Sequence, residues 1–168
     1  MKIKIKTIQN EKILIDTNIW IFLFAPSFIP YNQEKVDQYD EVFNSLKENN
    51  EFIFNSIIIS EFINTCLRLD FNSKLEFKNK SFKKDYRNSD DYKESLKLIL
   101  KQVKKIYKMA TPINDNFDTY KIQEFQENQE NLDFNDSIIL SQCKKNNFKL
   151  LTDDKDFKNY IEIYWWMG

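Results

Sequence analysis

The feature that most constrains this chain is a recurring punctuation. A short apolar run stops abruptly on an acid or an amide, and a helical pattern begins. Lys12-Ile13-Leu14-Ile15 stops at Asp16-Thr17-Asn18, and Ile19-Trp20-Ile21-Phe22 open a helix. Phe52-Ile53-Phe54 stops at Asn55-Ser56, and Lys149-Leu150-Leu151-Thr152 stops at Asp153-Asp154. Runs this short have strand length, and Asp, Asn and Ser after them are helix-capping or turn types. Apolar spacing predicts helices over 34–49, 56–69, 90–108, 117–128 and 134–146, with further strands at 111–113 and 161–164. Strands alternating with helices of ten or more residues indicate an α/β fold with a mainly parallel sheet. In such folds functional residues gather beyond the carboxyl ends of the strands, which sets Asp16 and Asp154 side by side. The 168 residues are expected to form one domain, 1–168, without repeats or a linker.

Two absences narrow the chemistry. The chain has no histidine, and its one glycine is Gly168. Without imidazole there is no Ser-His-Asp or Cys-His nucleophile, no His general base and no His-built zinc site. Without glycine neither a P-loop nor a dinucleotide-binding turn can be written. Carboxylate is what remains abundant, so an enzyme built from this chain works through Asp and Glu. Cys66 and Cys143 both lie in apolar helical patterns and read as buried free thiols of a reducing, cytoplasmic protein. The N-terminal MKIKIK pattern lacks a continuous apolar core, so no signal peptide and no membrane association are expected.

Four acids differ from the surface charges because each sits in an apolar setting. Asp16 ends the Ile-Leu-Ile run, and Glu61 lies within Ile57-Ile58-Ile59-Ser60-Glu61-Phe62-Ile63. Asp136 shares a helix face with Ile139, Leu140 and Cys143, and Asp154 closes the run from Leu150. A lone carboxylate so placed is costly unless it is capped, paired or bound to metal. Converging carboxylates repel, a divalent cation relieves the repulsion, and hard oxygen ligands select Mg²⁺ or Mn²⁺. A structural reading stands beside this one. Asp16 and Asp136 are also good helix caps, Glu61 can reach solvent from the edge of its face, and Asp153 reads as a turn residue.

The ordered set Ile15-Asp16-Thr17-Asn18, Ser60-Glu61, Asn135-Asp136-Ser137-Ile138-Ile139 and Leu151-Thr152-Asp153-Asp154-Lys155-Asp156-Phe157 resembles the motifs of PIN-domain nucleases. Among these the chain is most similar to the VapC-like toxins of bacterial toxin–antitoxin pairs. The resemblance implies a three-layer fold with a parallel sheet flanked by helices. It also implies an acidic pocket for Mg²⁺ or Mn²⁺ and hydrolysis of RNA phosphodiesters. By motif position it makes Asp16, Glu61, Asp136 and Asp154 the catalytic, metal-holding acids, with Asn18 and Thr152 as supporting groups. A metal ion lowers the pKa of its water and stabilises charge on phosphate. Attack by that water leaves a 5′-phosphate and a 3′-hydroxyl. A non-catalytic PIN-like RNA-binding or interaction domain is the alternative.

The basic stretch 71–108, with twelve Lys/Arg against five acids, is longer than a minimal toxin requires and reads as an insertion. Aromatics interleave its cations, a composition that suits single-stranded nucleic acid. Lys83, Lys84 and Arg87, within 78–87, are the candidate substrate-binding residues. A loop packed by its own aromatics is the competing reading. By contrast, 113–136 carries seven acids against Lys121 and reads, Asp136 apart, as a solvated face. Tyr164-Trp165-Trp166-Met167 is either a strand packing inward or a patch for a homodimer or an antitoxin.

Overall fold

The computed structural model describes residues 8–27, 32–160 and 164–165. Five strands among them pair in parallel: β1 Lys12–Ile15, β2 Glu51–Phe54, β3 Thr111–Pro112, β4 Lys149–Leu151 and β5 Tyr164–Trp165. Their order is β3-β2-β1-β4-β5. β1 is central, with Leu14 opposite Ile53 on one side and Leu150 on the other. Ile13, Leu14 and Ile15 are fully buried, as a strand covered on both faces requires. The helices are α1 Thr17–Phe24, α2 Gln33–Lys47, α3 Ser56–Ser73, α4 Asp90–Met109, α5 Ile122–Asn128 and α6 Phe134–Asn146. α1 packs on α2 and α3, α4 packs on α3, and α5 packs on α6, which completes a three-layer α/β fold.

The strand order reverses at β1. The chain builds outward through β2 and β3, then returns to add β4 on the opposite edge of β1. The crevice beyond the carboxyl ends of β1 and β4 is therefore the topological switch point, where open parallel sheets bind their ligands.

Four residues adopt positive φ: Asn10, Asn79, Asn116 and Asn147. With the single glycine at position 168, asparagine takes every described left-handed position. Its short polar side chain tolerates that region better than other residues. Asn147 closes α6 in this way, its N–H bonded to the Cys143 carbonyl.

One expected element differs. The helix over 117–128 is split into a short 3₁₀ turn, Phe117–Thr119, and α5. Tyr120 between them is extended, and its hydroxyl donates to Ser137 Oγ (2.7 Å), so a tertiary contact interrupts the local periodicity. The strand expected at 161–164 lies outside the described residues except for Tyr164, which forms β5 with Trp165. The side chains of the aromatic end, 164–167, also lie outside them.

The segment between α3 and α4 holds a 3₁₀ turn, Leu75–Phe77, and a one-turn π-helix, Phe82–Tyr86. Its aromatics pack on each other: Phe71 lies 5.5 Å from both Phe82 and Tyr86, and Phe77 5.1 Å from Tyr86. Beneath them Asp70 accepts from the hydroxyls of Tyr86 (2.5 Å) and Ser95 (2.7 Å) and pairs with Lys74 (3.4 Å). The packed-loop reading therefore holds for these rings, while Lys83, Lys84 and Arg87 project from the surface.

Candidate active site

Asp16 follows β1 and is the N-cap of α1. Its Oδ1 accepts from the Thr17 N–H (2.6 Å), and its Oδ2 accepts from the Thr152 hydroxyl (2.5 Å). Thr152, fully buried after β4, also accepts from the Asp154 N–H (2.9 Å) and from Asn18 Nδ2 (3.3 Å). Asn18 Oδ1 in turn accepts from the Asp153 N–H (3.2 Å). One hydroxyl thus ties together the loops that follow the two strands. Asn18 and Thr152, the expected supporting groups, thus bond to each other, and Thr152 bonds to Asp16.

Glu61 lies on α3, and two donors hold it. Thr17 Oγ1–H reaches Oε2 (3.0 Å), and Asn135 Nδ2 reaches Oε1 (2.6 Å). Glu61 is therefore half-buried, with both carboxylate oxygens engaged. Thr17 and Asn135 make contacts to Glu61 that helical and strand spacing do not reveal. The signal available was their place beside Asp16 and Asp136 within the motifs. Asp136 sits in the first turn of α6 but is not its cap. Asp133 takes that role, accepting from the Asp136 N–H (2.9 Å), which leaves the Asp136 carboxyl free for other work. Asp154 caps the short 3₁₀ turn Lys155–Asn159 through the Asp156 N–H (2.8 Å). Asp153 is not a simple turn residue. It pairs with Lys35 and accepts from the Tyr39 hydroxyl (2.7 Å), anchoring α2 to the end of β4.

Asp16 and Asp136 feel the charges of the other acids. Burial pushes the Asp16 carboxyl up to about 6, against the hydrogen bonds from Thr152 and Thr17, and the charges of Glu61 and Asp154 push it further. Asp136 is pushed up to about 8, first by burial and then by Asp133, Asp16, Asp154 and Glu61. Among the described residues none of the four is in an ion pair, the nearby Lys35 being committed to Asp153. Their oxygens lie within electrostatic reach. No group of three or more acidic or thiol side chains among the described residues is set close enough to hold a metal ion as it stands.

The family model for the PIN domain matches residues 13–162, from β1 to beyond Tyr160. The chain belongs to the PIN-domain family. No curated protein matches this PIN domain. Among solved structures it is similar to a chain of the VapBC2 complex from Rickettsia felis bound to a DNA fragment from their promoter. The two share 13% identity over 91% of this chain and 96% of that one, with a TM-score of 0.50. That likeness is one of fold. No described helix of this PIN domain is long and apolar enough to cross a membrane.

Proposed function

We propose that this PIN-domain protein is a metal-dependent endoribonuclease and the toxin of a toxin–antitoxin pair. The observation that carries the reading is that Asp16 and Asp136, at the switch point, are raised by burial and by the charges of Glu61 and Asp154, while among the described residues none of the four acids is in an ion pair. That donor set is all hard oxygen, so it fits Mg²⁺ or Mn²⁺ and not a softer ion. Asp16, Asp136 and Asp154, joined by Glu61, would hold the ion. When bound, it would offset their repulsion, make water a better nucleophile and stabilise charge on the phosphate. The chain's own groups do the positioning. Thr152 and the Thr17 N–H fix the Asp16 carboxylate, and Thr17 with Asn135 fixes Glu61. Asp136, raised toward neutral pH, can hold or release a proton there.

An antitoxin partner is supported by the likeness to VapBC2, which is bound to a DNA fragment from its promoter. We take 1–168 as one domain working in the cytoplasm, where both buried thiols stay reduced. Lys83, Lys84 and Arg87 are exposed and free to meet RNA phosphates. A homodimer is a further arrangement this chain could adopt.

A second reading, a non-catalytic RNA-binding or interaction domain, draws on the caps: Asp16 and Asp154 each finish a helical turn. Incubating purified protein with mixed RNAs in Mn²⁺ or EDTA separates the two. The nuclease reading expects Mn²⁺-dependent cleavage that Asp136→Asn abolishes. Mn²⁺ binding without cleavage of any RNA would establish the second reading instead.

A further inference from the structure

Beyond the acids, the chain holds a cavity of about 400 Å³ at the far end of α3. Its walls include Phe71, Asn72, Leu75, Phe77, Lys78 and Lys80. The lining is mixed, three apolar side chains beside lysines and asparagines, so it offers both an apolar contact and cations to a ligand. Leu75, which belongs to it, is 85% exposed, an unusual place for a large aliphatic side chain. The Lys80 ammonium lies 5.3 Å from the centre of the Phe77 ring, which is itself buried, so the cation is held at the cavity wall.

The path from the acids to this cavity is built into one helix. At 3.6 residues per turn, Glu61, Thr65, Arg68 and Asn72 fall on a single stripe of α3. Glu61 lies at one end beside Asp16, and Asn72 at the other in the cavity wall. The rise of 1.5 Å per residue puts about 16 Å between them along the axis, with Arg68 roughly 10 Å from Glu61. Arg68 is exposed, and its guanidinium lies 5.1 Å from the Phe82 ring centre. That is an acid end, a cation on an aromatic at mid-length, and a cationic aromatic-lined cavity beyond.

We propose that this stripe is the track of the RNA strand, and that the cavity takes a nucleotide some distance from the scissile phosphate, its base against the half-buried Phe71 and the exposed Leu75 and its phosphate near Lys78 and Lys80. The assignment rests on the nuclease reading and extends it. A stacked strand advancing about 3.4 Å per nucleotide covers the 16 Å in about five nucleotides, and an extended strand in fewer. Substrates shorter than this reach the acids without the cavity.

The test is anisotropy of an end-labelled, unstructured 12-nucleotide RNA in EDTA, so that binding is read without cleavage. The triple substitution Arg68→Glu, Lys78→Glu, Lys80→Glu is expected to raise Kd at least tenfold. The triple Gln version is expected to flatten the slope of log Kd against log salt by about 2, from three lost phosphate contacts on a single strand. Leu75→Asp is expected to raise Kd severalfold. All four positions are surface residues, and thermal melting checks that each variant folds. Unchanged Kd and salt slope in both triples would overturn the track. So would binding of 5′-AMP that depends on Lys78 and Lys80 while the 12-mer is unaffected by their loss, which would make the cavity a free-nucleotide site. Failure of the nuclease reading is seen separately, as absence of Mn²⁺-dependent cleavage by the unaltered protein.

Discussion

Asp16 and Asp70 are both buried carboxylates, 6% and 1% exposed, and they are handled in opposite ways. Asp70 has two hydroxyl donors and Lys74 at 3.4 Å, and Lys74 is in turn shared with Asp91 at 2.6 Å. The local charge is offset, and the group stitches α3, the 71–89 segment and α4 together. Asp16 has a backbone N–H and a hydroxyl, but its charged neighbours are Glu61 and Asp154, which repel it. A buried acid supplied with a cation is doing structural work. One surrounded by other acids costs stability, and its placement calls for a role in chemistry.

The largest expected effect breaks the comparison on its functional side. Asp136→Asn should lower Mn²⁺-dependent RNA cleavage by about a hundredfold or more, read as initial rates at saturating RNA, because the proposed site loses one of its carboxylates. Asp70→Asn should leave that rate within about twofold.

The next effect is on pH. Asp16 and Asp136 have folded pKa values raised to about 6 and about 8, so between about pH 4 and 8 the folded state binds more protons than the unfolded one. The stabilisation of their neutral forms is complete below about pH 4 and is lost as pH rises through those values. In EDTA the melting temperature should climb as pH falls from 8 to 5, with Asp16 alone contributing at most about 3 kcal/mol. Asp91 and Glu124, whose pKa values are lowered by hydrogen bonds to Lys74 and Lys145, oppose this only at more acid pH. Millimolar Mn²⁺ should raise the melting temperature at pH 8 and have little effect at pH 5. A flat profile in EDTA would remove the contrast between the two acids.

Asp70→Asn comes third. Leaving Lys74 with Asp91 alone and turning two hydroxyl bonds toward an amide should cost about 2 kcal/mol, or roughly 4–8 °C in melting temperature. Asp16→Asn, which keeps the cap, should instead stabilise the metal-free protein at pH 8. The smallest effect sharpens the site. Asn135→Ala frees one oxygen of Glu61 and should lower cleavage about tenfold with an unchanged melting temperature, as the loss of a group orienting a metal ligand typically does.

Much of the fold was legible because it depends on short-range pattern. β1, β2 and β4 stand where apolar runs end on polar residues, and α4 covers the periodic stretch that Ser89 caps. Asp16, Glu61, Asp136 and Asp154 were legible as acids in apolar settings. What stayed hidden were partners distant in sequence. Asp153 looks like a turn residue until Lys35 and Tyr39 arrive from α2, and Phe77 and Tyr86 look available for bases until they bury each other against Phe71.

The sequence by itself determined the chemistry open to this protein. A chain without histidine, and with its glycine only at position 168, is left with carboxylates and left-handed asparagines, and no folding can supply the missing groups. Only the tertiary structure decided which carboxylates work together and which are neutralised. A pKa and an ion pair depend on the distance and burial of groups tens of residues apart, and that information exists only once β4 lies beside β1 and α3 brings Glu61 to Thr17.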